Sequence, residues 1–212
     1  MACAFDLGHY AEIIDAAKAG GYRFAFFDRP PEPGTVLLRH DVDLSLEAAL
    51  RMAEVEAEAG AAATYFLMPR SEFYNLDSAS GEAAIERLRV LGHRVGLHAV
   101  WPHVDHDERF EPVLAWHNPD PEYMRAPVEG GLVNVMEAPW ADVYRSDSNQ
   151  HWRSGCPHDD LGAGTFPWLQ LLTHPEIWAF EGETMGQTMR AMLDAEKERR
   201  LQQLAEDRID LS

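Results

Sequence analysis

Cysteine, lysine and long apolar segments are all scarce in this chain of 212 residues. The two cysteines, Cys3 and Cys156, form no CxxC pair, which excludes a disulfide framework and a four-thiolate zinc site. The two lysines, Lys18 and Lys197, lie in polar helical patterns, which argues against Schiff-base chemistry. No apolar run approaches the ~18 residues that a membrane-spanning helix needs. These absences favour an ordinary globular protein.

Basic side chains are also few, since 18 Lys and Arg stand against 36 Asp and Glu, and the formal net charge is −18. A field of this sign repels nucleic acids and anionic lipids, so we expect neither a nucleic-acid nor a membrane partner. Asp6, His9 and Glu12 interrupt the N-terminal segment where a secretion signal requires an apolar stretch. We therefore expect a cytoplasmic protein with a small-molecule or carbohydrate substrate, and the sequence indicates no particular oligomeric state.

Helical patterns alternate with short apolar runs along the chain. Helices are predicted over residues 9–19, 45–59, 82–91 and 184–208. About eight strands are predicted, at residues 22–27, 35–40, 63–68, 94–98, 113–117, 132–136, 143–146 and 169–174. This alternation favours one α/β domain over residues 1–212, folded as an incomplete or distorted (β/α) barrel with about seven parallel strands. Residues 99–160 lack clear helical patterns, so the second half of the barrel is expected to be irregular.

Four of the ten histidines end apolar runs: His40, His98, His117 and His174. In parallel α/β folds, side chains from distant segments converge at the carboxyl ends of the strands, and active sites form there. Any one of these histidines alone would be better explained as a half-buried structural side chain. Their shared position at strand ends indicates a site.

Two carboxylates follow the first of these histidines, in the sequence His40-Asp41-Val42-Asp43. Both can reach one pocket where the strand ends. One alternative is helix capping, in which Asp43 or Ser45 satisfies free N–H groups of the next helix. Beside several imidazoles, however, one carboxylate can complete an open divalent-metal site while the other remains free to act as a base.

Three segments carry a resemblance to a known family: LLRHDVDLSLEAALRMAEVEAEAGAAATYFL, GHRVGLH and LLTHP, in that order. Between about residues 22 and 178 the chain resembles the polysaccharide deacetylase superfamily. Members of that superfamily are incomplete β/α barrels that hydrolyse N-acetyl groups on sugars at an Asp-His-His metal site. The resemblance implies that Asp41 is the general base and that Asp43 and His98 are metal ligands. It also implies that His174 is the general acid.

The chain departs from that family at the third metal ligand and at one arginine. Members place their two metal histidines four residues apart, but Pro102 stands at that place and His103 lies one residue too far. His117, at the next strand end, is the alternative ligand, and it is favoured because a strand end is held better than a loop. The family's base-orienting arginine is missing from that strand end, and Arg145 or Arg153 could substitute for it.

Hydrogen-bonding side chains are dense between residues 144 and 153. Within this segment Arg145, Asp147 and Trp152 suit the binding of a sugar face and its hydroxyls. The alternative is a solvated loop whose tryptophan is tucked into the core.

Two further polar clusters stand outside these motifs. Cys156 and His158, with His151 nearby, could hold a second metal ion, although no fourth ligand is evident. A second cluster is typical of a wet surface loop and contains His103, Asp105, His106 and Asp107.

No GxSxG, Walker, GxGxxG or HExxH motif occurs, which argues against serine hydrolases, nucleotide-binding proteins and Rossmann dehydrogenases. The strand-end residues instead predict a metal-dependent hydrolase that removes an acetyl or other acyl group from an amide of a sugar or similar small substrate. Its cofactor would be one divalent metal ion, with zinc preferred. The alternative is a catalytically impaired barrel of the same kind that binds carbohydrate or a partner.

Overall fold

In the computed structural model, which describes residues 3–104 and 107–209, eight strands pair in parallel as one sheet. The strands are β1 (Arg23–Phe24), β2 (Thr35–Val42), β3 (Ala63–Leu67), β4 (Arg94–Val100), β5 (Val113–His117), β6 (Val133–Asn134), β7 (Tyr144–Ser146) and β8 (Leu169–Thr173). Seven of them follow the order β6-β5-β4-β3-β2-β8-β7, and β1 pairs with the start of β2. The sheet curls into an open half-barrel, which confirms the expected α/β fold.

Six helices occur in the same described residues: α1 (Leu7–Ala19), α2 (Leu46–Glu58), α3 (Ala79–Val90), α4 (His158–Gly162), α5 (Pro175–Ala179) and α6 (Met185–Glu206). Four of them begin at a side-chain cap that accepts the backbone N–H three residues later: Asp6, Ser45, Ser78 and Thr184. Ser45, not Asp43, therefore caps the helix after β2, which leaves the Asp43 carboxylate free of that role. No helix in the described ranges is long and apolar enough to cross a membrane.

Side chains along β2 alternate between two cores, as the two-residue period of a strand requires. Val36, Leu38 and Val42 pack in the main core together with α1 and α2. Leu37, on the opposite face, packs in a smaller core that no helix contributes to. Residues 39 and 41 share the face of Leu37, whereas residue 40 shares the face of the helices. This alternation decides which side chains of β2 reach the cavity.

The stretch between α3 and α4 contains short strands and irregular chain, as expected, in the residues that the structure describes. The sequence patterns did not predict α4 and α5, because five residues are too few to show a helical period. Asp105 and His106, from the cluster expected in a surface loop, lie outside the described residues.

Gly96 lies in β4, two residues before His98, where a larger side chain does not fit. A Cβ at this position would come within 2.7 Å of the Phe66 ring and within 2.9 Å of Val113 Cγ2. Because overpacking displaces neighbouring side chains, we expect Gly96→Ala to lower the free energy of unfolding by about 1–3 kcal/mol. Urea denaturation followed by circular dichroism measures the change.

Gly186, an exposed position near the start of α6, provides the matched control. A Cβ there meets no atom within 4 Å, and alanine favours a helix over glycine by up to ~1 kcal/mol. Gly186→Ala is therefore expected to leave stability unchanged or to raise it slightly. A Gly96→Ala variant as stable as the wild type would contradict the packing of β4 between β3 and β5.

Candidate metal centre

The carboxyl ends of three strands bring Asp43, His98 and His117 together. Asp43 follows β2, His98 lies in β4, and His117 is the last residue of β5. Asp43 Oδ1 lies 3.0 Å from Nε2 of His98 and 3.0 Å from Nδ1 of His117. The two ring nitrogens are 3.3 Å apart. One donor atom from each residue thus converges on one point, and the group could hold a metal ion.

Each histidine of this group is oriented by a neighbour. Nδ1 of the buried His98 lies 3.0 Å from the carbonyl oxygen of Ala115, its register partner on β5. A carbonyl only accepts hydrogen bonds, so Nδ1 carries the hydrogen and Nε2 faces Asp43. Nε2 of His117 lies 3.2 Å from the side-chain amide nitrogen of Asn118. A carbonyl acceptor such as that of Ala115 fixes the tautomer and the ring plane of a metal-ligating histidine.

Asp43 and His117 stabilise each other's charged forms. Burial opposes ionisation of Asp43, but hydrogen bonds from His117 and His98 hold the pKa of its carboxyl well below the usual range. The hydrogen bond to Asp43 raises the pKa of His117 above its ordinary value. Because a metal ion and a proton compete for the same ring nitrogens, ion binding at this group is expected to weaken as the pH falls.

The two other candidate histidines lie elsewhere. His103 is exposed in the segment that follows β4, and the described group that could hold an ion contains His117 in its place. His40 faces the helices, as the alternation along β2 requires. Its Nε2 lies 2.7 Å from Oε1 of Glu56, a buried carboxylate that also accepts hydrogen bonds from two tyrosine hydroxyls. His40 therefore joins β2 to α2 and does not contribute to the cavity.

Asp41 lies on the cavity face of β2 beside an arginine that the sequence analysis missed. Arg39 donates from Nε to Oδ1 at 2.8 Å and from Nη2 to Oδ2 at 2.7 Å. Burial opposes the charge, yet the guanidinium of Arg39 holds the pKa of Asp41 below its ordinary value. The carboxylate is thereby fixed in orientation and kept ionised. Its Oδ2 lies 3.9 Å from Nε2 of His98, next to the candidate metal ligands.

The expectation that Arg145 or Arg153 orients this base is wrong, because Arg39 occupies both carboxylate oxygens. Arg145 donates instead to the carbonyl of Tyr144, and its guanidinium lies over the ring of Phe166. Arg39 and Asp41 are two residues apart on one strand, so the alternation along β2 was the signal that could have identified the pair.

His174 follows β8 and is held by the carboxylate of Asp147. Nδ1 of His174 lies 2.6 Å from Asp147 Oδ1, and its backbone N–H donates to Asp147 Oδ2 at 2.9 Å. The indole of Trp178 donates to the same Oδ2 at 2.7 Å. Burial opposes the imidazolium, but Asp147 and the more distant Asp41 and Asp43 raise the pKa of His174 to about 10. The ring is therefore protonated at neutral pH.

One cavity of about 360 Å³ connects these groups. Asp41, Asp43, His98, His117 and His174 all line it. Its remaining wall includes three arginines and several hydroxyl or amide side chains: Arg39, Arg145, Arg153, Ser146, Ser148, Ser154 and Asn118. The group that could hold a metal ion, an ionised carboxylate and a protonated imidazole therefore open onto one space of small-molecule size.

Two residues that were expected to touch a substrate do not line this cavity. Asp147 is fully buried, and its oxygens accept hydrogen bonds from the protein itself. Trp152 is 6% exposed and packs beside Phe5 and Trp178 in the main core. These placements correct the expectation for both residues, because neither side chain is open to a ligand.

Glu176, in the first turn of α5, is a further buried acid near the site. Burial, together with the charge of Asp43, raises its pKa to about 8, so the side chain is neutral at pH 7. Its Oε2 has no hydrogen-bond partner among the described residues. The neutral form avoids placing another negative charge close to Asp43.

Comparison of the chain with protein-family models, with curated proteins and with solved structures finds no match. No family model supports the resemblance to the polysaccharide deacetylases. What the structure establishes is the parallel half-barrel and the Asp/His/His group that could hold a metal ion.

Substitution of His117 is expected to remove one bound divalent ion per chain, because it deletes one of three converging donor atoms. The count of bound ions is measured by equilibrium dialysis of wild type and His117→Ala against Zn²⁺, followed by elemental analysis. His103→Ala is the matched control, since it removes an exposed histidine that lies apart from the group. Loss of the ion in His103→Ala and its retention in His117→Ala would contradict this assignment.

Substitution of Asp147 is expected to lower the pKa of His174 from about 10 toward its ordinary value, since the substitution deletes the adjacent carboxylate. The pKa is measured by NMR titration of the His174 ring in metal-free wild type and Asp147→Asn. Because the folded pKa is raised, the pair stabilises the fold fully below the ordinary value near ~6.5. That stabilisation is lost as the pH rises through about 10. A His174 ring that titrates near 6.5 in the wild type would contradict the ion pair.

Proposed function

We propose that this protein is a metal-dependent hydrolase that removes an acyl group, such as acetyl, from an amide of a sugar or a similar small substrate. The observation that carries the proposal is the convergence of three kinds of group on one cavity. These are the Asp43/His98/His117 group, the carboxylate of Asp41 and the imidazolium of His174. Each kind of group has a task in amide hydrolysis, because the carbonyl must be polarised, a proton must leave the attacking water and a proton must reach the departing nitrogen.

Asp43, His98 and His117 would hold the ion. Two neutral imidazoles and one carboxylate suit zinc, and they also accept cobalt, nickel, iron or manganese. When bound, such an ion lowers the pKa of a water molecule and polarises a carbonyl oxygen. The hydrogen bond from His98 to Ala115 supports this role, because it leaves Nε2 to face the other two donor atoms.

Asp41 is the proposed general base. Its carboxylate is ionised at neutral pH, and Arg39 fixes both oxygens, so it can accept the proton of the attacking water without first reorienting. Its position 3.9 Å from Nε2 of His98 places it beside the proposed ligands and not among them.

His174 is the proposed general acid. The water oxygen bonds to the carbonyl carbon, the C–N bond breaks, and the departing nitrogen requires one proton. Nδ1 of His174 is engaged by Asp147, which leaves the Nε2 proton for the departing amine. We therefore propose Asp147 as a positioning residue for His174 in place of its expected contact with substrate.

The side chains that line the cavity favour a polyhydroxylated substrate. Several side chains of the lining can both donate and accept hydrogen bonds: Ser146, Ser148, Ser154 and Asn118. Arg145 adds a planar group of donors. A volume of about 360 Å³ is within the range of small-molecule sites. The alternative, a barrel that binds carbohydrate or a partner without turnover, arose because the second histidine of the four-residue metal pair and the base-orienting arginine were missing from their usual places. His117 and Arg39 are available for those two roles, which favours the enzyme.

The proposal is tested by measuring acetate release from a panel of N-acetylated sugars by Zn²⁺- or Co²⁺-loaded protein. We expect Asp41→Asn to lower kcat by about 10²–10⁴-fold while retaining the ion, since it removes the proton acceptor and none of the three proposed ligands. Asp142→Asn, at an exposed position outside the cavity lining, is the matched control and should retain full activity.

Two results would contradict the proposal. One is a wild type that binds the ion and an N-acetylated sugar but releases no acetate, which would favour the binding alternative. The other is acetate release by Asp41→Asn at the wild-type rate.

A further inference from the structure

A second group of metal-ligating side chains lies away from the cavity. It consists of Cys3, which precedes α1, His9 in the first turn of α1, and Cys156 just before α4. Their ligand atoms all lie within 4.8 Å of one another, and each of the three residues is partly buried. Nε2 of His9 lies 3.4 Å from Sγ of Cys156, although the two residues are 147 positions apart in the chain.

These separations suit a tetrahedral zinc ion. Bonds of ~2.3 Å to sulfur and ~2.0 Å to nitrogen, at a tetrahedral angle, place the two ligand atoms roughly 3.5 Å apart. The His9–Cys156 distance of 3.4 Å matches this value. The group also contains both cysteines of the chain. They are distant in sequence, and neither forms a disulfide.

Neighbouring side chains orient the ligands. Nδ1 of His9 lies 2.8 Å from a carboxylate oxygen of Glu12. A carboxylate accepts, so the ring hydrogen sits on Nδ1 and the lone pair of Nε2 points toward Cys156. The indole N–H of Trp152 donates to Sγ of Cys3 at 3.2 Å. A carboxylate behind a histidine and an N–H donor on a sulfur are the partners that metal ligands in proteins commonly have.

We propose that Cys3, His9 and Cys156 form a second metal site, which binds zinc for a structural purpose. His158 lies nearby, with its ring centroid 5.8 Å from that of His9. This site differs from the one that the sequence suggested, since Cys156 is joined by Cys3 and His9, and His151 is not part of the described group.

The site would tie the start of the chain to the segment that positions the general acid. Trp152 donates to Cys3 and packs on Trp178, with ring centroids 6.1 Å apart. Trp178 in turn donates to Asp147, which holds His174. An ion bound to Cys3 and Cys156 would therefore stabilise the position of Trp152 and, through it, of Trp178. It also fixes α1 against α4, two helices that already pack on each other.

Titration with Co²⁺ distinguishes this site from the Asp43/His98/His117 group, because only a thiolate gives a sulfur-to-cobalt charge-transfer band in the near ultraviolet. We expect that band in reduced wild type and in Asp43→Ala, saturating at one equivalent of the thiolate-bound ion. We expect it to disappear in Cys156→Ser. In Asp43→Ala, Zn²⁺ should also raise the thermal midpoint, and this rise should be absent from the double variant Asp43→Ala with Cys3→Ser.

A direct measurement on the wild type guards against a variant that fails to fold. With Zn²⁺ bound, both thiols should react with a thiol reagent at least tenfold more slowly than after addition of a chelator. Absence of a charge-transfer band in the wild type, or equal thiol reactivity with and without Zn²⁺, would overturn the proposal. A Cys3–Cys156 disulfide that persists in reducing buffer would overturn it as well.

Discussion

The direction and alternation of β2 decide where Arg39, Asp41 and Asp43 lie in the candidate site. This strand pairs in parallel with β3 on one side and β8 on the other. Its carboxyl end therefore opens at the same edge as those of β4, β5 and β8. Arg39, Asp41 and then Asp43 follow one another on the side that faces the cavity, while His40 turns toward the helices. A shift of register by one residue would exchange these faces and dismantle the site.

Two ion pairs are buried at or beside the cavity. Asp41 is held by Arg39, and Asp147 is held by His174. Desolvation of each ion costs several kcal/mol, so such pairs add little net stability, whereas loss of one partner typically costs 3–5 kcal/mol. In the proposed function, the role of the pairs is chemical. Each pair fixes the protonation state of one group, an ionised carboxylate in one case and an imidazolium in the other, beside the Asp/His/His group.

The sequence predicted the fold class and most element positions because hydrophobic periodicity and helix caps are local signals. It also predicted that His98, His117 and His174 lie near one another, since the carboxyl ends of the strands in a parallel sheet share an edge. The Arg39–Asp41 pair was missed because the arginine lies inside an apolar run, although the two-residue spacing was visible. Asp147 and Trp152 could not be placed, because their partners lie in other elements and no local pattern encodes that packing. The proximity of Cys3 to Cys156 could not be predicted for the same reason.

The central claim is that Asp43, His98 and His117 hold one divalent ion at the rim of the half-barrel. Anomalous X-ray diffraction from crystals grown with Zn²⁺ tests it most directly. The account predicts an anomalous peak about 2 Å from Asp43 Oδ1, His98 Nε2 and His117 Nδ1. Crystals that contain excess Zn²⁺ and show no peak among these three atoms would contradict it.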